Sequence, residues 1–414
     1  MNNTILADQH QRLSGSSRRE FLATSALAAT SLAISASSYG AAAAQAKRKI
    51  KLGVVGNGGR GSWIAKLFQQ HGGYDMYAVA DYSQQVADAC GDALGIEKGR
   101  RFSGLSGYQK LIASGVEAVA LETPPFFFPQ HANAAVDAGC HVYMAKPVAV
   151  DVPGALLVQK LGQAASAKQR CFLVDYQMPD DPVNIEVAKR INEGGLGKMA
   201  HVCTYGYCSG FPDPPKTSTI ESRLRNLVWV NDVALGCDYI GNFDIHATDA
   251  AIWVLGQRPI AAMGLSRICR KDPHGDSHDV CQIVYEFADG LTLSHHGQAL
   301  PNNPDESLVS KFYGQDAMAV VAYSGKAYLR GGPKHFGGGN VDNLYEAGAR
   351  RNIATFHDNI VEGRFENATV ARAVDGVLMS ILGRESAARK SRLTMEELIR
   401  RNERLEVNLN GLRA

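Results

Sequence analysis

The stretch KIKLGVVGNGGRGSWIAKLFQQHGGYDMYAVAD, residues 49–81, decides the fold of this chain. It opens with an apolar run at 50–55, long enough for a strand that is buried on both faces. A glycine-rich turn at 56–61 follows, then a helical pattern, and then a second apolar run at 76–80 that ends in Asp81. Strand, glycine turn, helix, strand and acid in this order predict a dinucleotide-binding unit. A structural glycine turn in another α/β fold is the alternative.

Three glycines of the turn have distinct structural roles in such a unit. Gly56 permits the tight turn, Gly58 lets the backbone approach a pyrophosphate, and Gly61 lets the helix pack closely on the strand. The N-terminus of the helix faces the phosphate charge. The turn therefore supplies a set of candidate cofactor residues: Gly56, Asn57, Gly58, Arg60 and Gly61.

Asp81 is the candidate ligand of the adenosine ribose. It follows the turn by about 20 residues, where a carboxylate accepts hydrogen bonds from ribose hydroxyls. Such a carboxylate repels the 2′-phosphate of NADP, and Tyr82 stands where an arginine would help to bind that phosphate. The sequence therefore predicts NAD as the cofactor and leaves NADP open.

Composition and charge are those of an ordinary globular protein with two folded units. Of the 414 residues, 45% are hydrophobic and 20% are charged. The 43 basic and 41 acidic residues leave a net charge of +2. This near balance gives no reason to expect a nucleic-acid partner.

No metal site is predicted. The eight cysteines lack metal-ligand spacing and are interpreted as buried small hydrophobic residues, although Cys203 and Cys208 are close enough in sequence to pair. His295 and His296 resemble a metal pair, but adjacent residues of a strand point to opposite faces and cannot chelate together.

The first 46 residues differ from the rest and read as an export signal. Arg18 and Arg19 lie in the sequence SRREFL, and a weakly apolar stretch rich in alanine and serine leads to AQA at 44–46. These three parts are typical of a removable signal peptide rather than a stable membrane anchor. The SRRxFL pattern resembles a twin-arginine signal, which implies the twin-arginine export machinery as a partner and a periplasmic or otherwise exported protein. A disordered tail is the alternative.

Helices and strands alternate up to residue 175. Helices are predicted at 83–91, 108–114, 131–138 and 152–167, and buried strands at 116–123, 141–144 and 170–174. This alternation predicts a parallel, doubly wound sheet with its ligand crevice at the carboxyl ends of the strands. Thr123, Pro124 and Lys146 lie at such ends. Residues 47–175 are therefore a predicted Rossmann domain.

Residues 176–414 are predicted to form a second, α+β domain. The turn-rich segment 209–226 is interpreted as a loop over a cleft, and one helix is predicted at 237–255. An alternating strand at 198–207 and a run of short segments predict a largely antiparallel open sheet. The short segments are 260–269, 279–287, 292–297, 310–314, 317–322 and 326–329. The last helical region, 346–389, can pack back on the first domain, and pairing of open sheet faces predicts a homodimer or homotetramer.

Several short motifs are similar to those of the Gfo/Idh/MocA oxidoreductases, which include glucose–fructose oxidoreductase and inositol dehydrogenase. The motifs are Thr123-Pro124-Pro125 with His131, Ala145-Lys146-Pro147, INEGGLG at 191–197, His246-Ala247-Thr248-Asp249 with Trp253, and Gly383-Arg384-Glu385. The resemblance runs from residue 49 to about residue 398. It implies a Rossmann domain and an open-sheet domain, with a sugar or cyclitol bound between them and hydride transfer to or from a nicotinamide. Thr123 and Pro124 are expected to line the nicotinamide ribose, with a purely structural loop as the alternative, and His131 is assigned to the same cofactor site.

Two positions depart from the family pattern. The usual Glu-Lys-Pro is Ala145-Lys146-Pro147 here, and Asn242 stands four residues before His246, where members often have an aspartate. Of the nearby acids, Asp249 would share a helix face with His246, whereas Asp244 would not. Of the lysine–aspartate–histidine triad of some members, only the lysine and the histidine are thus found at the expected positions.

The candidate catalytic residues are Lys146, His246, Asp249 and Asp244. His246 is the preferred acceptor of a hydroxyl proton, because an imidazole pKa near 6.5 suits that role at neutral pH. Lys146 is expected to hydrogen-bond the same oxygen, and the two roles can be shared or reversed. The alternatives are a salt bridge for Lys146 and a buried structural histidine for His246. The candidate substrate residues are Gln177, Tyr205, Tyr207 and Asn242.

Three functions are consistent with the sequence. The first is an exported nicotinamide-dependent oxidoreductase of a sugar, cyclitol or sugar derivative, with a tightly held cofactor because the cytoplasmic NAD pool is out of reach. The second is a redox-neutral glycosidase that oxidises a sugar hydroxyl transiently, eliminates the aglycone and restores the hydride. The third is a non-catalytic sugar-binding protein on the same fold.

Overall fold

The computed structural model describes residues 49–302 and 307–414, so the predicted export signal lies outside the described residues. The described residues belong to one compact unit. Its first part contains a parallel sheet and its second part a larger, mostly antiparallel sheet. The predicted fold class, a Rossmann domain followed by an α+β domain with an open sheet, is confirmed, while the boundary at residue 175 stays a prediction.

The first sheet has six parallel strands in the order β3-β2-β1-β4-β5-β6. The strands are β1 (Ile50–Val55), β2 (Tyr74–Asp81), β3 (Arg101–Ser103), β4 (Ala118–Leu121), β5 (His141–Ala145) and β6 (Phe172–Asp175). The strand order reverses between β1 and β4, and this switch point places the ligand crevice at their carboxyl ends. The sequence did not predict β3, because three half-buried residues leave no apolar run.

Helices cover both faces of this sheet. They are α1 (Gly59–His71), α2 (Gln84–Leu94), α3 (Gly107–Ala113), α4 (Phe128–Asp137) and α5 (Val152–Ala167), with short 3₁₀ helices at Lys98–Arg100 and Pro125–Phe127. Helix α1 buries Ile64, Leu67 and Phe68, which are the apolar positions of the helical pattern. The Asp151 side chain caps α5 by accepting the Gly154 N–H at 2.8 Å.

The second sheet has nine strands in the order β14-β13-β12-β11-β7-β10-β9-β8-β15. They are β7 (Met199–Cys208), β8 (Ala261–Arg267), β9 (Val280–Glu286), β10 (Thr292–Ala299), β11 (Ser307–Gly314), β12 (Ala317–Ala322), β13 (Gly325–Gly331), β14 (Phe336–Val341) and β15 (Leu393–Thr394). Only the β7–β10 pair is parallel. The sequence did not predict β14, whose run of glycines hides the alternation of a strand.

The helices of the second part are α6 (Pro182–Asn192), α7 (Val233–Gly236), α8 (Asp238–Asn242), α9 (Ile245–Leu255), α10 (Leu344–Glu362), α11 (Ala368–Arg389) and α12 (Met395–Arg401). Short 3₁₀ helices lie at Met178–Asp180, Glu221–Arg223 and Val228–Asn231. Within the described part of the chain, no helix is long and apolar enough to cross a membrane.

The helical stretch predicted at 237–255 is present, but it is interrupted between α8 and α9. The Asp244 N–H donates to the Tyr239 carbonyl at 3.0 Å, as the Phe243 N–H does at 2.7 Å, so one extra residue is accommodated in the turn. Such wide turns are frequent at functional sites. The interruption places Asp244 immediately before α9.

Helices α10 and α11 pack against the first sheet and its helices. Ile353 and Phe356 of α10 share an apolar cluster with residues of β1 and α1. At the edge strand β6, the Phe172 N–H donates to the Asn367 side chain at 2.7 Å. The Val174 N–H donates to the Thr369 hydroxyl at 3.1 Å. These bonds satisfy the open edge of the parallel sheet.

Candidate active site

The glycine turn packs tightly against α1 and leaves open space at the N-terminus of that helix. Gly56 has φ +89°. A Cβ on Gly61 would lie 1.7 Å from the Gly56 carbonyl oxygen. Around Gly58 and Gly59, by contrast, an added Cβ would meet nothing within 4 Å. This open space at a helix N-terminus fits a pyrophosphate, as the sequence predicts.

Asp81 and Asn57 lie together at the adenosine side of this turn. The Asp81 carboxylate accepts the Asn57 N–H at 2.7 Å and the Ser83 N–H at 2.9 Å. Burial raises the pKa of Asp81, and the two N–H bonds oppose that rise. The side-chain oxygen of Asn57 is buried without a hydrogen-bond partner. An unpartnered acceptor beside the turn fits a ligand with hydroxyl donors such as NAD.

Thr123 and Pro124 lie in the loop after β4, and His131 lies on α4 behind that loop. The Thr123 hydroxyl lies 3.4 Å from His131 Nδ1. His131 is buried against the Tyr108 ring at 4.1 Å between centroids, and burial lowers its pKa to about 3. A neutral, buried His131 supports the loop that carries Thr123, and its own predicted contact with the cofactor stays untested.

Arg60 turns toward two carboxylates of the crevice. Its Nε lies 3.0 Å from Glu122, directly after β4, and its Nη2 donates to Asp175 at the end of β6. The Trp63 and Tyr345 rings flank the guanidinium. Burial raises the pKa of Glu122 to about 7, against the opposing effect of Arg60. The charge of Arg60 is thus already engaged by Glu122 and Asp175, and its predicted contact with the cofactor stays a prediction.

Lys146 follows β5 and points into the same crevice. Its ammonium donates to the backbone carbonyl of Asn242. Burial and the charge of Arg60 lower the pKa of Lys146 to about 7, although Asp175 and Glu122 oppose this effect. Lys146 can therefore gain or lose a proton near neutral pH. Asn242, a predicted substrate residue, uses its backbone rather than its side chain in this contact.

His246 lies on α9 close to Lys146. Its side chain is 8% exposed, and its Nδ1 has no hydrogen-bond partner. The imidazole packs against the Tyr323 ring at 5.0 Å and the Tyr176 ring at 6.4 Å. Burial, with the charges of Lys146 and Arg60, lowers its pKa well below the ordinary value. His246 is thus a neutral imidazole with one free nitrogen.

Gln177 links the carboxylates of the crevice to His246. It is 2% exposed and donates to Asp175 at 2.8 Å. The Tyr323 hydroxyl donates to Gln177 Oε1 at 3.2 Å, and the Tyr323 ring touches His246. Each end of the Gln177 amide makes one of these bonds and keeps a second donor or acceptor position, and its predicted contact with substrate stays a prediction.

Asp244 does not face His246 but pairs with the second sheet. Its carboxylate lies 3.0 Å from His295 Nε2, and His295 Nδ1 lies 3.0 Å from the Thr204 hydroxyl. A Cβ on Gly206 or Gly297 would come within 2.1 or 2.3 Å of the Asp244 carboxylate oxygens. Asp244 is therefore a buried anchor between α9 and the sheet, its charge also acts on the pKa of Lys146, and its predicted catalytic role stays a prediction.

Cys281 joins Asp244 and His295 in one buried cluster. The three potential ligand atoms lie within 4.8 Å of one another. The spacing in sequence conceals this cluster, because its members come from separate elements. His296 points away from it and stacks on Tyr205 at 5.5 Å, so the prediction that His295 and His296 face opposite sides is confirmed. The prediction that the protein binds no metal stays a prediction.

The first domain is similar to a known protein family. Residues 50–176 match the Gfo/Idh/MocA model, described as an oxidoreductase family with an NAD-binding Rossmann fold. The first domain is therefore similar to the Gfo/Idh/MocA oxidoreductases. This match confirms the resemblance drawn from the motifs of the first domain and NAD as the cofactor class.

The similarity to known proteins also extends beyond the first domain. Inositol 2-dehydrogenase from Rhizobium meliloti (strain 1021) is 23% identical over 243 residues, which are 58% of this chain and 66% of that protein, just under two thirds of its length. The structure of aldose-aldose oxidoreductase from Caulobacter crescentus, complexed with glycerol, has a TM-score of 0.68 at 18% identity and covers 84% of this chain and 100% of its own. Levoglucosan dehydrogenase, in complex with NADH and levoglucosan, has a TM-score of 0.69 at 17% identity, with 84% and 100% covered. These likenesses show a common fold.

Tyr205 and Tyr207 lie on the face of the second sheet that points away from the crevice. Along β7, Thr204 and Gly206 face Asp244 and His295, so Tyr205 and Tyr207 point to the opposite side. There they line a shallow hollow of about 540 Å³. Their predicted role as ligands of a substrate in the crevice is therefore corrected.

Cys203 and Cys208 also lie on opposite faces of β7. Both are free thiols, as are the other six cysteines. Residues five apart on a strand point to different sides. The two cysteines therefore do not form the disulfide that their proximity in sequence left open.

Asp249 forms an ion pair with Arg372, so we expect its replacement to affect stability more than catalysis. Its carboxylate is fully buried, and one oxygen lies 3.1 Å from Arg372 Nε. Asp249→Ala should lower the free energy of unfolding by about 3 kcal/mol, since it leaves a largely buried charge unpaired. We expect kcat to fall by less than about 10-fold, as for a group outside the reaction. Denaturant titration and steady-state kinetics measure the two effects.

The control for Asp249→Ala is Arg372→Ala, which should reproduce the loss of stability. A fall in kcat of about 100-fold or more with unchanged stability would restore Asp249 to the catalytic residues that the sequence predicts.

Several site residues were missed by the sequence analysis: Glu122, Asp175, Tyr323, His295 and Arg372. Two of them carried a usable signal, because Glu122 and Asp175 end or follow buried strands of the parallel sheet. The same rule that selected Lys146 would have selected them. The other three are brought to the site by the second domain, where no motif marks them.

Proposed function

We propose that this protein is an NAD-dependent oxidoreductase that oxidises a secondary alcohol of a sugar, cyclitol or sugar derivative. One observation supports this proposal above all. Lys146 and the unpartnered Nδ1 of His246 lie close together in a crevice that opens on the glycine turn. A proton carrier with a pKa of about 7 and a free imidazole acceptor are the groups that such a reaction requires.

NAD bound at the turn supplies the hydride acceptor. Gly58 and the N-terminus of α1 would hold the diphosphate, and Asp81 would accept from a ribose hydroxyl. Lys146 takes the hydroxyl proton, because its pKa of about 7 matches neutral pH better than the strongly lowered pKa of His246. His246 accepts a hydrogen bond from the substrate and orients it. This division reverses the preference drawn from ordinary pKa values.

The proposed substrate class rests on the relatives together with the crevice. Inositol 2-dehydrogenase, aldose-aldose oxidoreductase and levoglucosan dehydrogenase are named for polyhydroxylated molecules. The crevice of this chain offers Gln177 and Tyr323 as hydrogen-bonding groups beside His246. Groups that both donate and accept suit a ring with several hydroxyls.

Two further proposals concern assembly and location. The outer face of the second sheet exposes Met263, Leu265 and Val284 at 55%, 63% and 44%. An apolar face of this kind supports a homo-oligomer that forms through the open sheet. The SRREFL motif with Arg18 and Arg19 supports export by the twin-arginine machinery, with the nucleotide bound before export.

The experiment that tests the function combines nucleotide analysis with a sugar panel. We expect mass spectrometry of denatured, purified protein to detect NAD or NADH. Sugars and cyclitols should then raise the near-ultraviolet absorbance of reduced nicotinamide. Aglycone release from glycosides without that rise would support the redox-neutral glycosidase instead, and sugar binding without turnover would support the non-catalytic protein. Absence of both bound nucleotide and nucleotide affinity would contradict the whole proposal.

A further inference from the structure

Residues 402–414 follow the last helix as an extended segment, which we call the strap. Its apolar residues alternate along the sequence RLEVNLNGLRA. The inward positions Leu405, Val407 and Leu409 are half-buried, and so is Leu412 after Gly411. The intervening polar residues are exposed. The strap therefore lays one apolar side against the protein, although none of these side chains is fully buried.

The strap is attached at two distant places. Near its start, the Leu405 N–H donates to the Asp151 carboxylate at 2.9 Å. Near its end, the Arg413 N–H donates to the Tyr82 hydroxyl at 3.1 Å, and the Arg413 guanidinium donates to the Tyr82 carbonyl at 2.7 Å. The Leu105 N–H donates to the Arg413 carbonyl at 3.0 Å.

These two attachments lie at opposite ends of the nucleotide crevice. Asp151 caps α5, the helix that follows β5, whereas Tyr82 directly follows β2 and Leu105 follows β3. In the order β3-β2-β1-β4-β5-β6, the strap must pass the carboxyl ends of β4 and β1 to join them. Three strand spacings are about 14 Å. The chain from Leu405 to Arg413 can extend to about 26 Å, so it has the length to pass over a ligand.

Near its end, the strap also meets the polar loop at 209–226. A Cβ on Gly411 would lie 3.2 Å from the Thr219 methyl group. The loop and the strap therefore lie against each other above the first sheet. The strap is the part of this cover that reaches the adenosine side, where Asp81 and Tyr82 lie.

We propose that the strap completes the dinucleotide site by covering the adenosine half of the bound cofactor, with Arg413 as the residue that holds it closed. The inference rests on the proposed function, because it requires a nucleotide in the crevice. A nucleotide beneath the strap buries the apolar side of the strap further, and it leaves only when the bonds of Arg413 to Tyr82 break. Slow release of this kind suits a cofactor that is held through successive turnovers.

The test measures release of NADH from three variants of the full chain. In the first variant, residues 407–414 are deleted and the Leu405–Asp151 attachment is kept. The second is Arg413→Ala. The third, Arg404→Ala, is the matched control, because Arg404 lies on the same strap with a side chain 74% exposed. Each protein is loaded with NADH, and nucleotide fluorescence follows its dissociation after mixing with excess NAD.

We expect dissociation to be about 100-fold faster in the deletion variant and about 10-fold faster in Arg413→Ala, as for the loss of a charge-assisted hydrogen bond. Arg404→Ala should release NADH at the unchanged rate. Equal rates in the deletion variant and the original chain would overturn the role of the strap, and equal rates in Arg413→Ala would overturn the role of the Arg413 side chain, while the proposed function stands in both cases. Failure of the original chain to bind NADH would overturn both. If the deletion variant does not fold, the Arg413→Ala rate decides.

Discussion

Replacing Lys146 by alanine is expected to lower kcat/KM for sugar oxidation by about 10³-fold while leaving the protein folded and able to bind NAD. The ammonium contacts the Asn242 carbonyl beside His246 and does not touch the glycine turn. Burial lowers its pKa to about 7, so the charged form is disfavoured in the folded state. The alanine variant should therefore unfold at an unchanged or higher temperature.

The pH dependence tests which form of Lys146 acts. If neutral Lys146 takes the hydroxyl proton, kcat/KM for oxidation rises with pH through about 7 and levels off above it. The pKa of His246 is lowered well below 6.5, so His246 stays neutral across this range. It therefore adds no second pH-dependent change to kcat/KM. Lys146→Ala should abolish the rise of kcat/KM near pH 7.

The control is Lys160→Ala on the exposed face of α5, which should leave kcat/KM and its pH profile unchanged. A profile that falls as pH rises through 7 would assign the active form to the ammonium and return the role of base to His246. Near-normal turnover of Lys146→Ala would remove Lys146 from the catalytic residues altogether.

Local pattern was enough to predict the cofactor half of the site. The strand Ile50–Val55, the glycine turn and the acid at Asp81 follow one another within a short stretch, and each has a physical reason for its place. Lys146 was predicted in the same way, because the end of a buried parallel strand faces the crevice. No distant partner is needed to recognise these features.

The partners of the charged residues could not be predicted, because they are distant in sequence. His295 is 51 positions from Asp244, and Arg372 is 123 positions from Asp249. Helical spacing alone suggested that Asp249 would assist His246, yet the second domain supplies an arginine that engages its carboxylate. The pKa of His246 also depends on burial and neighbouring cations, which a sequence motif does not contain.

The face of a strand is equally hard to predict when both faces carry polar groups. Tyr205 and Tyr207 were assigned to the crevice, but a register shift of one residue in β7 decides which face of the sheet each side chain points to. Gly206 fixes that register, because only a glycine leaves room for the Asp244 carboxylate. The decisive residue was therefore a glycine within the strand, whose importance depends on a contact with α9.

The second large effect is expected in the glycine turn, where Gly61→Ala should prevent both stable folding and nucleotide binding. The added Cβ would lie 1.7 Å from the Gly56 carbonyl oxygen, and that backbone cannot move without shifting β1 or α1. We expect the free energy of unfolding to fall by about 3 kcal/mol or more. Thermal unfolding and calorimetric titration with NAD measure the two losses.

Two neighbouring glycines separate folding from binding. An added Cβ at Gly58 or Gly59 meets nothing within 4 Å, so both alanine variants should fold as stably as the original chain. Gly59→Ala should also keep its affinity for NAD. Gly58→Ala should bind NAD about 10-fold or more weakly, because its methyl group occupies the space where the backbone approaches the pyrophosphate. Unchanged affinity in Gly58→Ala would mean that the diphosphate does not lie over this turn, even if the fold is of the Rossmann type.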